Sequence, residues 1–210
     1  MAHYEKHLMR LRELLVAAVM CCLPVACTAQ PRKPQTKKPI RMEKFNLKFF
    51  EERQSGGHML YTHPDGKVVE QWANDGSEYV EETRLPGTVQ TIYKTFYFDT
   101  RTVQTEGQLL YKMQTGSWKK YDRSGGVTEV TDYDKPFPFS IADLDKKLRR
   151  MGIEILKPSR GLAVLRNVNP QPRYTVTIPT LVAGGMEPRI LIIDGRTGQT
   201  ISDQVVERTK

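Results

Sequence analysis

Thr91-Ile92-Tyr93-Lys94-Thr95-Phe96-Tyr97-Phe98 is the stretch on which the fold turns. It is rich in β-branched and aromatic residues and carries no helical period, so it reads as a strand. Alternation puts Ile92, Phe96 and Phe98 on one face, and Tyr93 and Tyr97 on the other. Both faces are partly apolar. Either both are covered, or one of them is a binding surface.

Runs of the same kind lie on both sides, at residues 68–72, 108–113 and 127–131. Turn signals separate them: Pro64-Asp65-Gly66, Asn74-Asp75-Gly76, Leu85-Pro86-Gly87, Thr115-Gly116 and Ser124-Gly125-Gly126. Short strands with such punctuation predict an antiparallel meander over residues 45–135.

Residues 136–210 read as a small helix-plus-sheet domain. Ser140 is placed to cap a helix, with Asp143 as its capping-box partner. Ile141, Leu144, Leu148 and Met151 share one face of that helix, and Gly152 suits its end. Strands are expected at residues 162–168, 174–178, 189–194 and 199–206. Ile190-Leu191-Ile192-Ile193 is continuously apolar and belongs at the centre of the sheet. Asp194-Gly195-Arg196-Thr197-Gly198 is a hairpin turn. The expected class is α+β, a mostly antiparallel meander followed by this domain.

The N-terminus carries an address. Lys6, Arg10 and Arg12 precede an apolar run at residues 14–26, which small residues close at Ala26 and Ala29. That order is a secretory signal over residues 1–29, and the run is shorter than the roughly 20 residues of a spanning helix. Cleavage after Ala29 leaves a soluble chain starting at Gln30. Cleavage before Cys27, in the lipobox-like Leu23-Pro24-Val25-Ala26-Cys27, leaves a lipid-modified cysteine. The protein is therefore expected outside the cytoplasm: in the periplasm, secreted, or held at a membrane only through that lipid.

Cys21, Cys22 and Cys27 are the chain's three cysteines, so the mature chain has no disulfide, thiol nucleophile or cysteine-based zinc site. The formal charge is +8, of which the signal carries +1 (Lys6, Arg10 and Arg12 against Glu5 and Glu13). Part of the rest sits in a Pro-rich segment at residues 30–44, with Arg32, Lys33, Lys37, Lys38, Arg41 and Lys44. That composition reads as an extended linker, or else as an arm for an acidic surface.

Two resemblances follow. Gly116-Ser117-Trp118-Lys119-Lys120-Tyr121-Asp122-Arg123-Ser124-Gly125-Gly126-Val127, running on to Tyr133, resembles a bacterial MORN-like repeat. A looser copy is Tyr61-Thr62-His63-Pro64-Asp65-Gly66-Lys67-Val68. This implies a structural or interaction module without catalytic residues. Tyr174-Thr175-Val176-Thr177-Ile178 and the Asp194–Gly198 turn resemble a PepSY-type module, which implies a binding or inhibitory role.

Chemistry has few footholds. His58 and His63 are the only histidines beyond the signal, so a metal site would have to use them with Asp65, and none is expected. A hydrolase would need His63, Asp65 and Glu70 to converge, and no Gly-x-Ser-x-Gly elbow is present. No Gly-rich frame points to a phosphate or to any cofactor. The leading expectation is a non-catalytic envelope protein that binds another envelope or secreted protein, or is structural. The alternatives are a periplasmic immunity or inhibitor protein against a toxin or peptidase, and an unrecognised hydrolase. Candidate contact residues are Tyr93, Tyr97, Tyr111, Trp118, Lys119, Lys120 and Tyr121. Such an aromatic and basic set also suits a glycan; nucleic acid is not expected of an exported chain.

Overall fold

The computed structural model describes residues 42–182 and 185–206. The predicted signal and residues 30–41 of the predicted linker lie outside them. The chain is mostly antiparallel β, with two helices among the described residues: α1 (Leu47–Glu51) and α2 (Ile141–Arg149). Seven strands form one sheet in sequence order: β1 (His58–Thr62), β2 (Val68–Asn74), β3 (Glu78–Arg84), β4 (Gln90–Tyr97), β5 (Val103–Leu110), β6 (Met113–Tyr121) and β7 (Val127–Asp132). A second sheet has the order β11-β10-β9-β8. Its strands are β8 (Ala163–Asn167), β9 (Arg173–Val182), β10 (Gly185–Asp194) and β11 (Thr200–Val205).

One face of the large sheet is closed by the segment that enters it. Lys44 bridges to Thr102, and the Phe45 amide donates to the Arg101 carbonyl at 2.8 Å. Residues 42–44, read as linker, thus join the meander. Asn46 caps α1, accepting from the Phe49 amide at 3.2 Å. Phe45 and Phe50 are thereby set over Tyr79 and Phe96, with Phe45 stacked on Tyr79 at 4.4 Å and 10°. Phe98, just past β4, stacks on the same Tyr79. The face that Ile92, Phe96 and Phe98 share is the covered one.

Across this face runs a row of directly opposed residues: Gln71, Glu81, Lys94, Glu106 and Lys119. Its charges alternate from strand to strand, which favours this register over a slipped one.

The second core lies between α2 and the smaller sheet. Ser140 and Asp143 form the expected capping box. Leu144 and Leu148 are fully buried with Ile155, Val164, Tyr174, Val176, Leu191 and Ile193. Met151, expected on the same helical face, lies beyond α2 and is exposed. Tyr174 donates to the Phe139 carbonyl at 2.7 Å, so its hydroxyl is satisfied inside the core.

Two local readings are corrected by tertiary packing. The run at residues 108–113 is not one strand. It turns at Tyr111 and Lys112, whose φ angles of 51° and 74° make a two-residue hairpin without glycine. Tyr111 and Met113 pack against the second core, which holds the turn in that conformation. Thr115-Gly116 is not a turn either. It lies within β6, at a bulge where one residue of β5, Gly107, faces three of β6.

Leu148→Ala should cost about 2–5 kcal/mol in denaturant unfolding, because it empties a packed site. Ser140→Ala should cost about 0.5–2 kcal/mol through the lost cap. A Leu148→Ala loss under about 0.5 kcal/mol would place α2 outside the core.

Candidate functional site

The bulge in β6 creates the centre of the other face of the large sheet. A Cβ on Gly107 would stand 2.2 Å from the Trp118 ring, so the indole lies directly on the backbone there. Glycine is required for that approach, and the aromatic covers what would otherwise be bare strand. The indole N–H donates to the Gln108 carbonyl at 3.2 Å. Tyr93 lies 5.5 Å from the ring on one side, and Tyr133 meets it edge-on at 6.0 Å on the other. Trp118 is 8% exposed.

Register places Trp72, Val80, Thr95, Thr105, Lys120 and Glu129 in one row of the same face. Glu70, Glu82 and Tyr93 form the adjacent row. Val80 and Thr95, small residues in the first row, are buried, while Trp72, Tyr93, Tyr97 and Tyr133 remain half-buried. None of these aromatics belongs to either core cluster. Both described helices pack on other surfaces, so among the described residues no helix covers this face, called the open face below.

The candidate residues therefore divide. Tyr93, Tyr97, Trp118 and Lys120 come together on the open face. The Tyr97 hydroxyl donates to the Tyr121 carbonyl at 2.7 Å, and the Arg123 guanidinium sits 4.5 Å above the Tyr97 ring. Lys120 reaches Glu129 at 2.8 Å. Lys119 and Tyr121 lie on the covered face, where both donate to Glu106. Tyr111 is drawn away to the second core. Trp72 and Tyr133 complete the open face without having been singled out. The signal for Trp72 was strand alternation, which sets it on the face of Glu70 and opposite to Gln71.

The open face is also acidic at one end. Burial raises the Tyr93 phenol above its ordinary value, and Glu78 and Glu82 raise it further. Glu70 is held by His58 at 2.9 Å and by Arg84 at 2.8 Å. His63 pairs with Asp65 at 3.0 Å in the β1–β2 turn, and its Lys67 and His63 contacts hold the Asp65 carboxyl down at about 2. His63, Asp65 and Glu70 do not form one constellation. Among the described residues no three His, Cys, Asp or Glu side chains converge as metal ligands would, and no helix is long and apolar enough to cross a membrane.

On the covered face, burial raises the Glu106 carboxyl, but hydrogen bonds from Tyr121 and Lys119 outweigh it and leave a net lowering. Tyr121 is pushed up to about 12, by burial first and then by Glu106.

Two predictions follow from these contacts. Trp118→Ala should destabilise by about 3–5 kcal/mol, and Gly107→Ala by about 1–3 kcal/mol as the added methyl displaces the ring. The double variant should lose less than the sum, because the methyl then occupies vacated space. Strict additivity in thermal or denaturant melts would separate the two residues. The Tyr121–Glu106 pair should make stability pH-dependent at both ends. Tyr121 ionises later folded than unfolded, so its contribution is intact below pH 10 and is lost as pH rises towards about 12. Glu106 ionises more readily when folded, so its contribution holds above the unfolded carboxyl value and is lost as pH falls through the folded one. Tyr121→Phe should flatten the alkaline fall, and Glu106→Gln the acid one.

No family model, curated protein or solved structure matches the chain.

Proposed function

We propose that this is a non-catalytic, extracytoplasmic bacterial protein that recognises another envelope or secreted protein through the open face of its large sheet. One observation carries the reading: Trp72, Tyr93, Tyr97 and Tyr133 stand half-buried on a sheet face over which no described element packs. Aromatics of this kind anchor interfaces, since they bury much area at low entropic cost. Glu78 and Glu82 beside Tyr93 suit a partner that brings cations. The signal-like residues 1–29 support placement outside the cytoplasm, with the Pro-rich residues 30–41 as a tether.

The reading takes the chain as an α+β protein, a MORN-like meander joined to a PepSY-like helix-plus-sheet module. The hairpin of β6 and β7, with Trp118 on its sheet, supports the first comparison, and the Tyr174–Ile178 strand supports the second. An immunity or inhibitor protein would use the same face, with a toxin or peptidase as its partner. A hydrolase at His63 is disfavoured because Glu70 is engaged by His58 and Arg84.

Affinity purification with the full chain should yield a stoichiometric complex with one envelope protein. Trp72→Ala and Tyr93→Ala should each weaken it by about 2 kcal/mol or more, roughly 30-fold in Kd, with the melting curve little changed. A complex indifferent to both variants, or a hydrolytic activity lost in His63→Ala, would overturn the reading.

A further inference from the structure

Three Asp-Gly steps lie at turns of this chain: Asp65-Gly66, Asp75-Gly76 and Asp194-Gly195. The dipeptide has a chemistry of its own. The glycine amide nitrogen can attack the aspartyl Cγ, since glycine has no side chain to hinder it. A C–N bond forms, the carboxyl C–O bond breaks and water leaves, giving a five-membered imide. Water then adds to one imide carbonyl. Opening at the former backbone carbonyl leaves the main chain running through the side-chain carbonyl, one methylene longer. One water is lost and one regained, so the net change is isomerisation to isoaspartate. The reaction needs a carboxyl able to take up a proton and a glycine amide free to approach it.

The fold locks two of the three. The Asp65 carboxylate accepts from the Lys67 amide at 3.1 Å and pairs with the Lys67 ammonium at 2.8 Å and His63 at 3.0 Å. Lys67 first, and then His63, hold its carboxyl at about 2, far from protonation. The Gly66 amide is taken by the His63 carbonyl at 2.9 Å. Asp194 accepts from the Thr197 and Arg196 amides at 2.8 Å each, which lowers its carboxyl too. The Gly195 amide donates to the Pro172 carbonyl at 2.8 Å. Gly195 is also buried, with the Phe137 ring 2.7 Å from where a Cβ would stand.

The third step is free. Asp75 and Gly76 are exposed at the tip of the hairpin of β2 and β3, with φ angles of 37° and 74°. That is the left-handed pair of a type I′ turn, which costs a residue with a Cβ more than it costs glycine. Neither the Asp75 carboxylate nor the Gly76 amide has a hydrogen-bond or ion-pair partner among the described residues. The tip is closed by Ser77, whose amide and hydroxyl both donate to the Asn74 carbonyl at 2.7 Å. A Cβ on Gly76 would meet nothing within 4 Å, so no neighbour obstructs an imide ring there.

We propose that Asp75 is a modification site: it isomerises to isoaspartate in the folded protein, while Asp65 and Asp194 persist, and Trp72 senses the change. Asn74, the residue before it, clamps two side chains of the open face. Its side chain accepts from the Trp72 indole N–H at 3.0 Å and donates to Glu78 at 3.0 Å. A methylene inserted at position 75 lengthens the turn on which that side chain stands, so the indole loses its acceptor. The product also carries an exposed α-carboxylate off the main chain, the group that isoaspartyl methyltransferases esterify. The hairpin tip is thus a substrate for that class of enzyme. The site stands whether or not the open face binds a partner, so the two readings fail separately.

The test is to age the full chain in warm, mildly acidic buffer. Isoaspartate is counted by methyl transfer from S-adenosylmethionine with an isoaspartyl methyltransferase, and located by peptide mapping. It should accumulate at position 75 about tenfold faster, or more, than at 65 or 194, because each locked site must first open and break several hydrogen bonds. In denaturant the three sites should react within a few-fold of one another, since the fold alone separates them. Asp75→Asn suits the left-handed turn and should convert faster, releasing ammonia in place of water. Asp75→Ser should remove the signal. In the aged chain the indole N–H resonance of Trp72 should shift while that of Trp118 stays. A folded chain whose three sites react alike, or in which position 65 or 194 leads, overturns the proposal. So does a position 75 that folding slows as much as it slows the other two. An isoaspartate form with an unmoved Trp72 resonance overturns the coupling to the open face.

Discussion

The indole of Trp118 resting on the bare backbone of Gly107 is the contact on which the rest of the molecule hangs. It needs the bulge in β6 to bring the ring over β5, and the bulge needs Gly116 at a φ of 63°. The Tyr133 ring closes the other side of the indole, and its amide donates to the Gly116 carbonyl at 3.0 Å. The Tyr133 carbonyl in turn accepts from Arg166, whose guanidinium also reaches Asp134 at 2.5 Å and lies 4.6 Å above the Phe137 ring. The Arg166 side chain is 6% exposed. Its Nη1 donates to the Tyr133 carbonyl and Asp134 and its Nη2 to the Tyr174 hydroxyl, while the buried Nε finds no partner among the described residues; the guanidinium thus ties the connection between the sheets through its Nη ends. A single strand distortion thus propagates from the meander to the second core.

The two sheets solve the burial of their faces differently. On the covered face of the large sheet, Phe45 and Phe50 close one end, and the alternating row Glu81, Lys94, Glu106, Lys119 keeps the middle polar yet paired. That row sets register more than it adds stability, since half-exposed ion pairs contribute little. The smaller sheet has no such row on its outer face. Its outer face carries Thr175, Thr177, Pro179, Pro188, Ile190 and Ile192 instead, with Leu165, Leu181 and Met186 exposed. The other face of the large sheet displays Trp72, Tyr93 and Tyr97 flanked by Glu70, Glu78 and Glu82.

Much of the architecture was legible in residues 45–206. Runs of β-branched and aromatic residues located strands around Val68, Thr91 and Val127, alternation the one at Tyr174 and a continuous apolar run the one at Ile190, while glycine, proline and asparagine located most of the turns between them. Ser140 and Asp143 announced α2, because a capping box is a local arrangement that the spacing alone encodes. The two partly apolar faces of the stretch at residues 91–98 already posed the question of a covering layer. Strands β1 and β3 were less visible. The three glutamates of β3 disfavour a strand, and β1 is a short edge; β3 is a strand because β2 and β4 pair with it, and β1 because β2 does.

Tertiary structure alone decided the rest. Nothing in Leu110-Tyr111-Lys112-Met113 marks a hairpin; the turn exists because Tyr111 has a second core to pack against. Gly116 read as a turn, since a glycine with positive φ looks the same in a bulge as in a hairpin until the pairing is known. The same pairing sorted the candidate aromatics, sending Trp118 and Tyr93 to the open face and Tyr121 to the covered one. Composition states how much apolar and aromatic surface a chain carries. Which part of it meets the core, and which stays at the surface, depends on contacts between residues far apart in sequence, and those appear only once the strands have found their register.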